Sequence, residues 1–172
     1  MNLQDDDFTL LGLPAAQALD RTQLDERWRA LQAEVHPDRF AAQGTASQRV
    51  AMQWAVRVNE AYRRLKDPIA RGRYLCELRG VPVQIENNTA MPATFLHQQM
   101  EWREALEEAG GPDAVHALAD DVERHERRLL EQLRRQLDED NDPGAAAGTV
   151  RMLMFVARFR DDVDHRLEAH EA

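Results

Sequence analysis

Apolar residues recur at every third or fourth position along most of this chain, the spacing that gathers them on one face of an α-helix. Runs of alternating β-branched residues, which would predict strands, do not occur in the sequence. The hydrophobic pattern therefore predicts an all-α fold.

The first half of the sequence predicts two antiparallel helices preceded by a short apolar stretch, residues 8–13. The first long helix begins after Asp20, a predicted N-cap, and ends at His36, because Pro37 disfavours helical geometry in the residue before it. A loop, residues 41–47 (AAQGTAS), leads to a second helix that stops at an Asp-Pro pair. The predicted apolar faces of these two helices comprise Leu24, Trp28, Leu31 and Val35, then Val50, Trp54, Val58, Ala61 and Leu65.

The second half predicts an antiparallel three-helix bundle. Residues 79–92 are rich in Gly, Pro and Asn, which are typical of a boundary between domains. We predict a first domain over 1–76, a linker over 77–91 and a bundle over 92–172. Gly-Gly-Pro and Asn-Asp-Pro-Gly segments separate its three helices. The middle helix carries a near-heptad stripe of Val115, Leu118, Val122, Leu129, Leu133 and Leu137.

The charge of the chain is divided unevenly between these halves. Residues 1–75 carry a net charge of +1 and residues 76–172 a net charge of −10, within a total of −9. An acidic surface disfavours nucleic acid, because phosphate binding needs a basic stripe. The same surface favours a basic protein partner.

Several classes of protein are disfavoured by composition. No apolar run approaches the roughly 20 residues that span a bilayer, and three aspartates, residues 5–7, stand where a targeting peptide would carry basic residues. We therefore expect a cytoplasmic protein without a membrane partner. Cys76 is the single cysteine, so an internal disulfide or a cysteine cage for a metal is not expected.

One short motif stands out, His36-Pro37-Asp38 between the two first helices. Pro37 restricts the backbone, and the Asp38 carboxylate can form a charge-assisted bond with a partner's arginine. Arg27 and Arg29, on the preceding helix, can steer the chain towards an acidic surface. The alternative is a simple helix-ending turn in which Asp38 caps a local backbone group.

The setting of this motif resembles a J domain. The resemblance is carried by residues 8–13 (FTLLGL), the Arg-bearing helix, the His-Pro-Asp tripeptide, residues 59–62 (NEAY) and residues 65–68 (LKDP). It implies that the His-Pro-Asp loop docks on a seventy-kilodalton heat-shock chaperone and accelerates its ATP hydrolysis. In that reading His36, Pro37, Asp38, Arg27 and Arg29 bind the chaperone.

Over nearly its whole length the sequence resembles the HscB family of J-domain co-chaperones. The family has an acidic three-helix bundle after the J domain and delivers the IscU-type scaffold of iron–sulfur assembly to an HscA-type chaperone. Its eukaryotic members carry an N-terminal cysteine-rich zinc module, which this sequence lacks, so the bacterial form is expected. The matching residues are 7–10 (DFTL), Leu13-Pro14, Gln32, 36–40 (HPDRF), Phe95-Leu96, Arg103-Glu104, Leu106, Val150-Arg151, Leu153 and Phe155.

The first bundle helix predicts a docking patch on its outer face. Helical arithmetic puts Leu96 about 110° and Met100 about 150° from the core face, which comprises Phe95, Gln99, Trp102, Leu106 and Ala109. Two flexible apolar side chains among glutamates favour an apolar and basic partner. The resemblance implies the same scaffold-binding surface, formed by Leu96, His97, Met100, Glu101, Glu104, Glu108 and Phe155, with His97 where relatives often have Met. Solvated surface residues, and a core role for Phe155, are the alternatives.

Other chemistry is not supported by the sequence. The glutamates lie on an outward helix face without a cleft that could shift their pKa, and Asp161 with His165 lacks a third metal ligand at helical reach. No phosphate-binding loop or nucleophile elbow is present. We expect no enzymatic activity, no cofactor and no metal. The competing interpretations are a J-domain co-chaperone with other clients and a metal-binding helical protein with a chance His-Pro-Asp.

Overall fold

The computed structural model describes residues 1–84 and 91–171, and over that part of the chain it is all-α, as predicted. The described residues form seven α-helices, a 3-10 segment, Pro37–Gln43, between the second and third, and a π-helical segment, Arg135–Glu139, before the last. The helices are α1 Asp7–Leu11, α2 Arg21–Val35, α3 Thr45–Lys66, α4 Pro68–Leu78, α5 Ala93–Glu108, α6 Pro112–Arg134 and α7 Pro143–Glu171.

The chain divides into two compact units, Met1–Leu75 and Cys76–Ala172. The N-terminal part of the predicted linker is helical, because Glu77 and Leu78 belong to α4. Residues 85–90 of the predicted linker lie outside the described residues. We describe each unit by itself.

The start and end of α2 follow the sequence prediction. The Asp20 carboxylate accepts hydrogen bonds from the backbone N–H groups of Thr22 and Gln23, at 2.9 and 3.3 Å. At the other end His36 is the C-cap residue, with extended backbone angles (φ −60°, ψ 128°). Its extended conformation is the one that a following proline favours.

Replacing Asp20 tests the contribution of this cap. We expect Asp20→Ala to lower the free energy of unfolding by about 1 kcal/mol, because two N–H groups of α2 lose their acceptor. Urea denaturation followed by circular dichroism measures the change. Asp164→Ala, at an exposed position inside α7, is the matched control; an equal loss in both variants would contradict a specific cap.

Two stretches of the first unit differ from the sequence prediction. The predicted loop 41–47 is largely helical, since the 3-10 segment continues to Gln43 and α3 begins at Thr45. Gly44 alone separates them, with a φ of +96° that favours glycine. The prediction also missed α4 and placed Val50 on the apolar face, although this side chain is 52% exposed.

The core of the first unit lies between α1, α2 and α3. Its buried side chains include Phe8, Leu11, Leu24, Val58 and Leu65. At the edge of this core the Trp28 ring of α2 stacks on the Tyr62 ring of α3, with centroids 4.2 Å apart. The Trp28 indole N–H donates to Asn59 Oδ1 at 3.0 Å. These contacts fix α2 against α3 and with them the segment that joins the two helices.

A buried ion pair attaches α1 to α3 and α4. The Asp7 carboxylate is fully buried, with Arg57 Nη1 2.8 Å and Arg64 Nη1 3.1 Å away. The Asp7 backbone N–H donates to the Tyr74 hydroxyl at 2.9 Å, and the Arg64 guanidinium lies over the Tyr74 ring. The short α1 is therefore held by charge as well as by apolar contact.

The second unit is built around α6 and α7. The stripe of six apolar residues predicted on the middle helix is buried: Val115, Leu118, Val122, Leu129, Leu133 and Leu137. From α7, Val150, Leu153, Val156, Phe159 and Val163 are buried as well.

An aromatic cluster joins α5 to the other two bundle helices. Trp102 stacks on Phe159 of α7, with centroids 5.6 Å apart, and meets the His125 ring of α6 edge-on at 5.1 Å. The Trp102 indole N–H also donates to Asp121 at 2.9 Å. Phe95 and Trp102 thus point one face of α5 into the bundle, which leaves the opposite face towards solvent.

Candidate partner-binding sites

The His36-Pro37-Asp38 motif lies at the junction of α2 and the 3-10 segment. Pro37 is the first residue of that segment, where its missing N–H costs no hydrogen bond. The side chains of His36 and Asp38 are 58% and 92% exposed. Both polar groups of the motif are therefore available to a partner, as expected for a binding loop.

His36, and not Asp38, provides the local cap. The His36 Nδ1 atom accepts a hydrogen bond from the Asp38 backbone N–H at 3.3 Å and lies 3.6 Å from Asp38 Oδ2. Arg39 fixes the junction from the other side, because its Nη1 donates to the Ala33 carbonyl at 3.0 Å. The sequence-based alternative, in which Asp38 caps a local group, does not describe this geometry.

The two predicted chaperone-binding arginines, Arg27 and Arg29, are both exposed on α2. Arg27 lies against the end of α1: a Cβ atom added at Gly12 would come within 2.9 Å of its Nη1. Gly12 also has a φ of +66° as the C-cap of α1. The packing of α1 against α2 therefore fixes the Arg27 guanidinium beside the C-terminal end of α1.

In the second unit, α5 shows the two faces that the spacing predicts. Phe95, Gln99 and Trp102 are buried. Leu96 and Met100 are 44% and 62% exposed, a large apolar area for a surface position.

The rim of this face is acidic. Three exposed glutamates of α5 lie beside the two apolar side chains: Glu101, Glu104 and Glu108. His97 is exposed as well, and its Nε2 lies 3.3 Å from Glu101 Oε1. We call the surface formed by Leu96, His97, Met100, Glu101, Glu104 and Glu108 the α5 patch. Its apolar centre and acidic rim suit a partner that is apolar and basic.

Phe155 of α7 is half-buried beside α5. Its ring meets Phe95 edge-on, with centroids 5.9 Å apart, and the Arg103 guanidinium lies over the ring at 5.6 Å from its centroid. The residue belongs neither to the closed core nor to the open surface. Sequence reasoning did not single out Arg103 as a site residue, although its position three residues after Met100 places it on the same face.

Two further titratable groups of the second unit, His125 and Cys76, have shifted pKa values. Burial, together with the charge of Arg128, lowers the pKa of His125, whose ring stacks on Phe95 and meets Trp102 edge-on. Burial raises the pKa of the Cys76 thiol to about 11, which keeps it protonated and unreactive at neutral pH.

Within residues 1–84 and 91–171, no three His, Cys, Asp or Glu side chains are grouped to hold a metal ion. Across the same part of the chain, no helix has both the length and the apolar character needed to cross a membrane.

Comparison with known sequences identifies close relatives. A family model described as the HSCB C-terminal oligomerisation domain matches residues 91–164. A protein of Burkholderia multivorans named "Co-chaperone protein HscB homolog" is 50% identical over 174 aligned residues, which cover 99% of each chain. A protein of the same name from Bordetella parapertussis is 51% identical over 160 residues, covering 92% of this chain and 94% of the relative.

Solved structures share the fold. Chaperone HscB from Vibrio cholerae has a TM-score of 0.85 and 35% identity, over 98% of this chain and 100% of that one. The human co-chaperone protein HscB has a TM-score of 0.90 at 23% identity, over 96% and 84% of the two chains, and so supports the fold alone.

Proposed function

The chain belongs to the HscB family of co-chaperones of iron–sulfur cluster assembly, and we propose that it delivers an IscU-type scaffold protein to an HscA-type chaperone ATPase and stimulates ATP hydrolysis by that chaperone. We assign chaperone binding to residues 1–76 and scaffold binding to residues 92–172. We expect scaffold delivery and the stimulated ATP hydrolysis to take place in the cytoplasm. The observation that carries the proposal is that each unit exposes one chemically distinct surface, a His-Pro-Asp loop in the first and an apolar patch with an acidic rim in the second.

On the chaperone side, the binding elements are His36, Pro37 and Asp38 with Arg27 and Arg29 on α2. The exposed Asp38 carboxylate accepts a charge-assisted hydrogen bond from a cationic group of the chaperone. Pro37 restricts the backbone at the junction, so less entropy is lost on docking. The two arginines lie on the helix that leads into this loop and steer the encounter with an acidic surface.

On the scaffold side, Leu96 and Met100 are the anchors of the α5 patch. Burying exposed apolar side chains against a partner supplies most of the affinity at an interface, while charges at its rim mainly set the encounter rate. Phe155 extends the surface from α7, and the net charge of −10 over residues 76–172 attracts a basic partner. His97 stands at the edge of the patch beside Glu101.

Titration of the full chain with the IscU-type scaffold tests this assignment. We expect saturable binding that is lost when the α5 patch is altered and retained when the His-Pro-Asp loop is altered. A chain that stimulates the chaperone but does not bind scaffold would instead be a J-domain co-chaperone of other clients.

The acidic rim leads to a separate prediction about the rate of association with the scaffold. We expect the double change Glu101→Lys and Glu104→Lys to slow association with the scaffold by about tenfold at low salt and to reduce its salt sensitivity, because attraction at the rim becomes repulsion. Stopped-flow association at two ionic strengths measures both effects.

The matched control for this prediction is the double change Asp120→Lys and Glu123→Lys, at two exposed positions of α6, which alters the net charge by the same amount. Glu123 is exposed on α6, two residues before the His125 ring that packs against α5, and therefore about 200° around the helix from it. A control that slows association as much as the rim variant would show that only total charge matters.

A further inference from the structure

Arg103 is an exposed arginine on an acidic helix, but its guanidinium contacts an aromatic ring and not a carboxylate. It is the one Arg or Lys residue in the α5 sequence, and Glu107 is available one helical turn away for an i,i+4 ion pair. In the structure its guanidinium instead lies 5.6 Å from the centre of the Phe155 ring, on the neighbouring helix α7. Among the described residues it makes no hydrogen bond or ion pair that would explain its position otherwise.

The Phe155 ring is held on two sides by α5. Phe95, which is 5% exposed, meets the ring edge-on from the core side. Arg103 lies over the ring from the solvent side. Contacts with both residues restrict the orientations open to the Phe155 side chain.

Arg103 also borders the α5 patch. Helical arithmetic puts it about 20° from Leu96 and about 60° from Met100 around the helix, so all three side chains leave α5 on the same side. Through its contact with Phe155, this arginine links the apolar centre of the patch on α5 to the aromatic ring on α7. A cation is otherwise unfavourable on a surface that attracts a basic partner, so its presence needs a local reason.

We infer that Arg103 is a positioning residue of the scaffold-binding surface, which holds the Phe155 ring in the orientation that the scaffold contacts. The inference rests on the proposed function and adds to it a residue that acts through Phe155. Removing the guanidinium frees the ring, and the scaffold must then immobilise it on binding. The affinity lost is the cost of that ordering, so it disappears when the ring itself is absent.

A double-mutant cycle measured by calorimetric titration with the IscU-type scaffold tests this role. The full-length variants are Arg103→Ala, Phe155→Ala and their combination, with Arg103→Lys as the conservative change. Arg127→Ala, an exposed arginine of α6, is the control for the loss of one positive charge. Melting temperatures of all variants are measured in parallel, so that a general loss of stability is recognised.

We expect Arg103→Ala to weaken scaffold binding by about threefold to fivefold while Arg103→Lys stays within about twofold of the parent, because a lysine ammonium can also lie over the ring. In the Phe155→Ala background, Arg103→Ala should cause no further loss. Arg127→Ala should leave the affinity unchanged or raise it slightly.

Three results would overturn the inference. An equal loss from Arg103→Ala with and without Phe155 would mean that the arginine contacts the scaffold directly. Tighter binding by Arg103→Ala would mean that the guanidinium blocks the ring, and unchanged binding would mean that it has no role. A parent chain that does not bind scaffold contradicts the proposed function as a whole, whereas a binding parent with additive variants contradicts the role of Arg103 alone.

Discussion

His36→Gln should abolish stimulation of the HscA-type chaperone ATPase and leave the fold of the chain intact. The side chain of His36 is 58% exposed at the end of α2. Its Nδ1 atom accepts a hydrogen bond from the Asp38 backbone N–H. Losing an exposed hydrogen bond of this kind lowers the free energy of unfolding by about 1 kcal/mol or less. Binding to the chaperone, in contrast, depends on the shape and charge that the three residues present together.

Steady-state ATP turnover of the chaperone at saturating co-chaperone measures this effect. Asp38→Asn should behave like His36→Gln, since it preserves shape and removes the charge that a chaperone cation would bind. His116→Gln, at an exposed position of α6 in the second unit, is the matched control. If the folded His36→Gln variant stimulates the ATPase at the parent rate, the loop is not the chaperone-binding site.

The second large effect is expected at the α5 patch. Changing both Leu96 and Met100 to Ala should weaken scaffold binding by about 2 kcal/mol or more, as truncation of interface anchors does. The melting temperature should hardly change, because substitutions at exposed positions usually alter stability by no more than about 0.5 kcal/mol. These two residues are 44% and 62% exposed in the free protein.

The first unit offers a closely matched control for that pair. Met52 and Val56 lie four residues apart on α3, as Leu96 and Met100 do on α5, and are 59% and 56% exposed. Changing Met52 and Val56 to Ala removes a similar exposed apolar area from the other unit. We expect this control to bind scaffold with the parent affinity. Unchanged affinity in the α5 double variant, or an equal loss in the α3 control, would remove the docking function from the α5 patch.

The ends of the helices could be predicted where one residue type decides the backbone. Asp20 caps α2 and Pro37 ends it, as the sequence indicates. The second long helix, α3, also ends at the predicted Asp-Pro pair, but the sequence reasoning missed that Pro68 begins a new helix, α4, since proline is also favoured in the first turn of a helix. Asp67 supplied the missing signal, because its carboxylate accepts the Ile69 backbone N–H at 2.9 Å and so caps α4.

Exposure on α5 could be predicted from periodicity, whereas contacts between helices could not. The angle of Leu96 and Met100 from the core face follows from their positions in the sequence alone. Val50 shows the limit of that method, since it has the right spacing on α3 but is 52% exposed. The contact between Arg103 and Phe155 depends on how two distant segments pack, which spacing within one helix does not contain.

Coupling of the scaffold to the chaperone by this one chain can be measured as ATP turnover with both partners present. The HscA-type chaperone is assayed alone, with this protein, with the IscU-type scaffold, and with both. We expect stimulation by the two together to be well above the sum of their separate effects. In the Leu96→Ala/Met100→Ala variant we expect this excess to be lost and the basal stimulation to remain. Stimulation that is merely additive, or an excess that survives in that variant, would contradict this coupling.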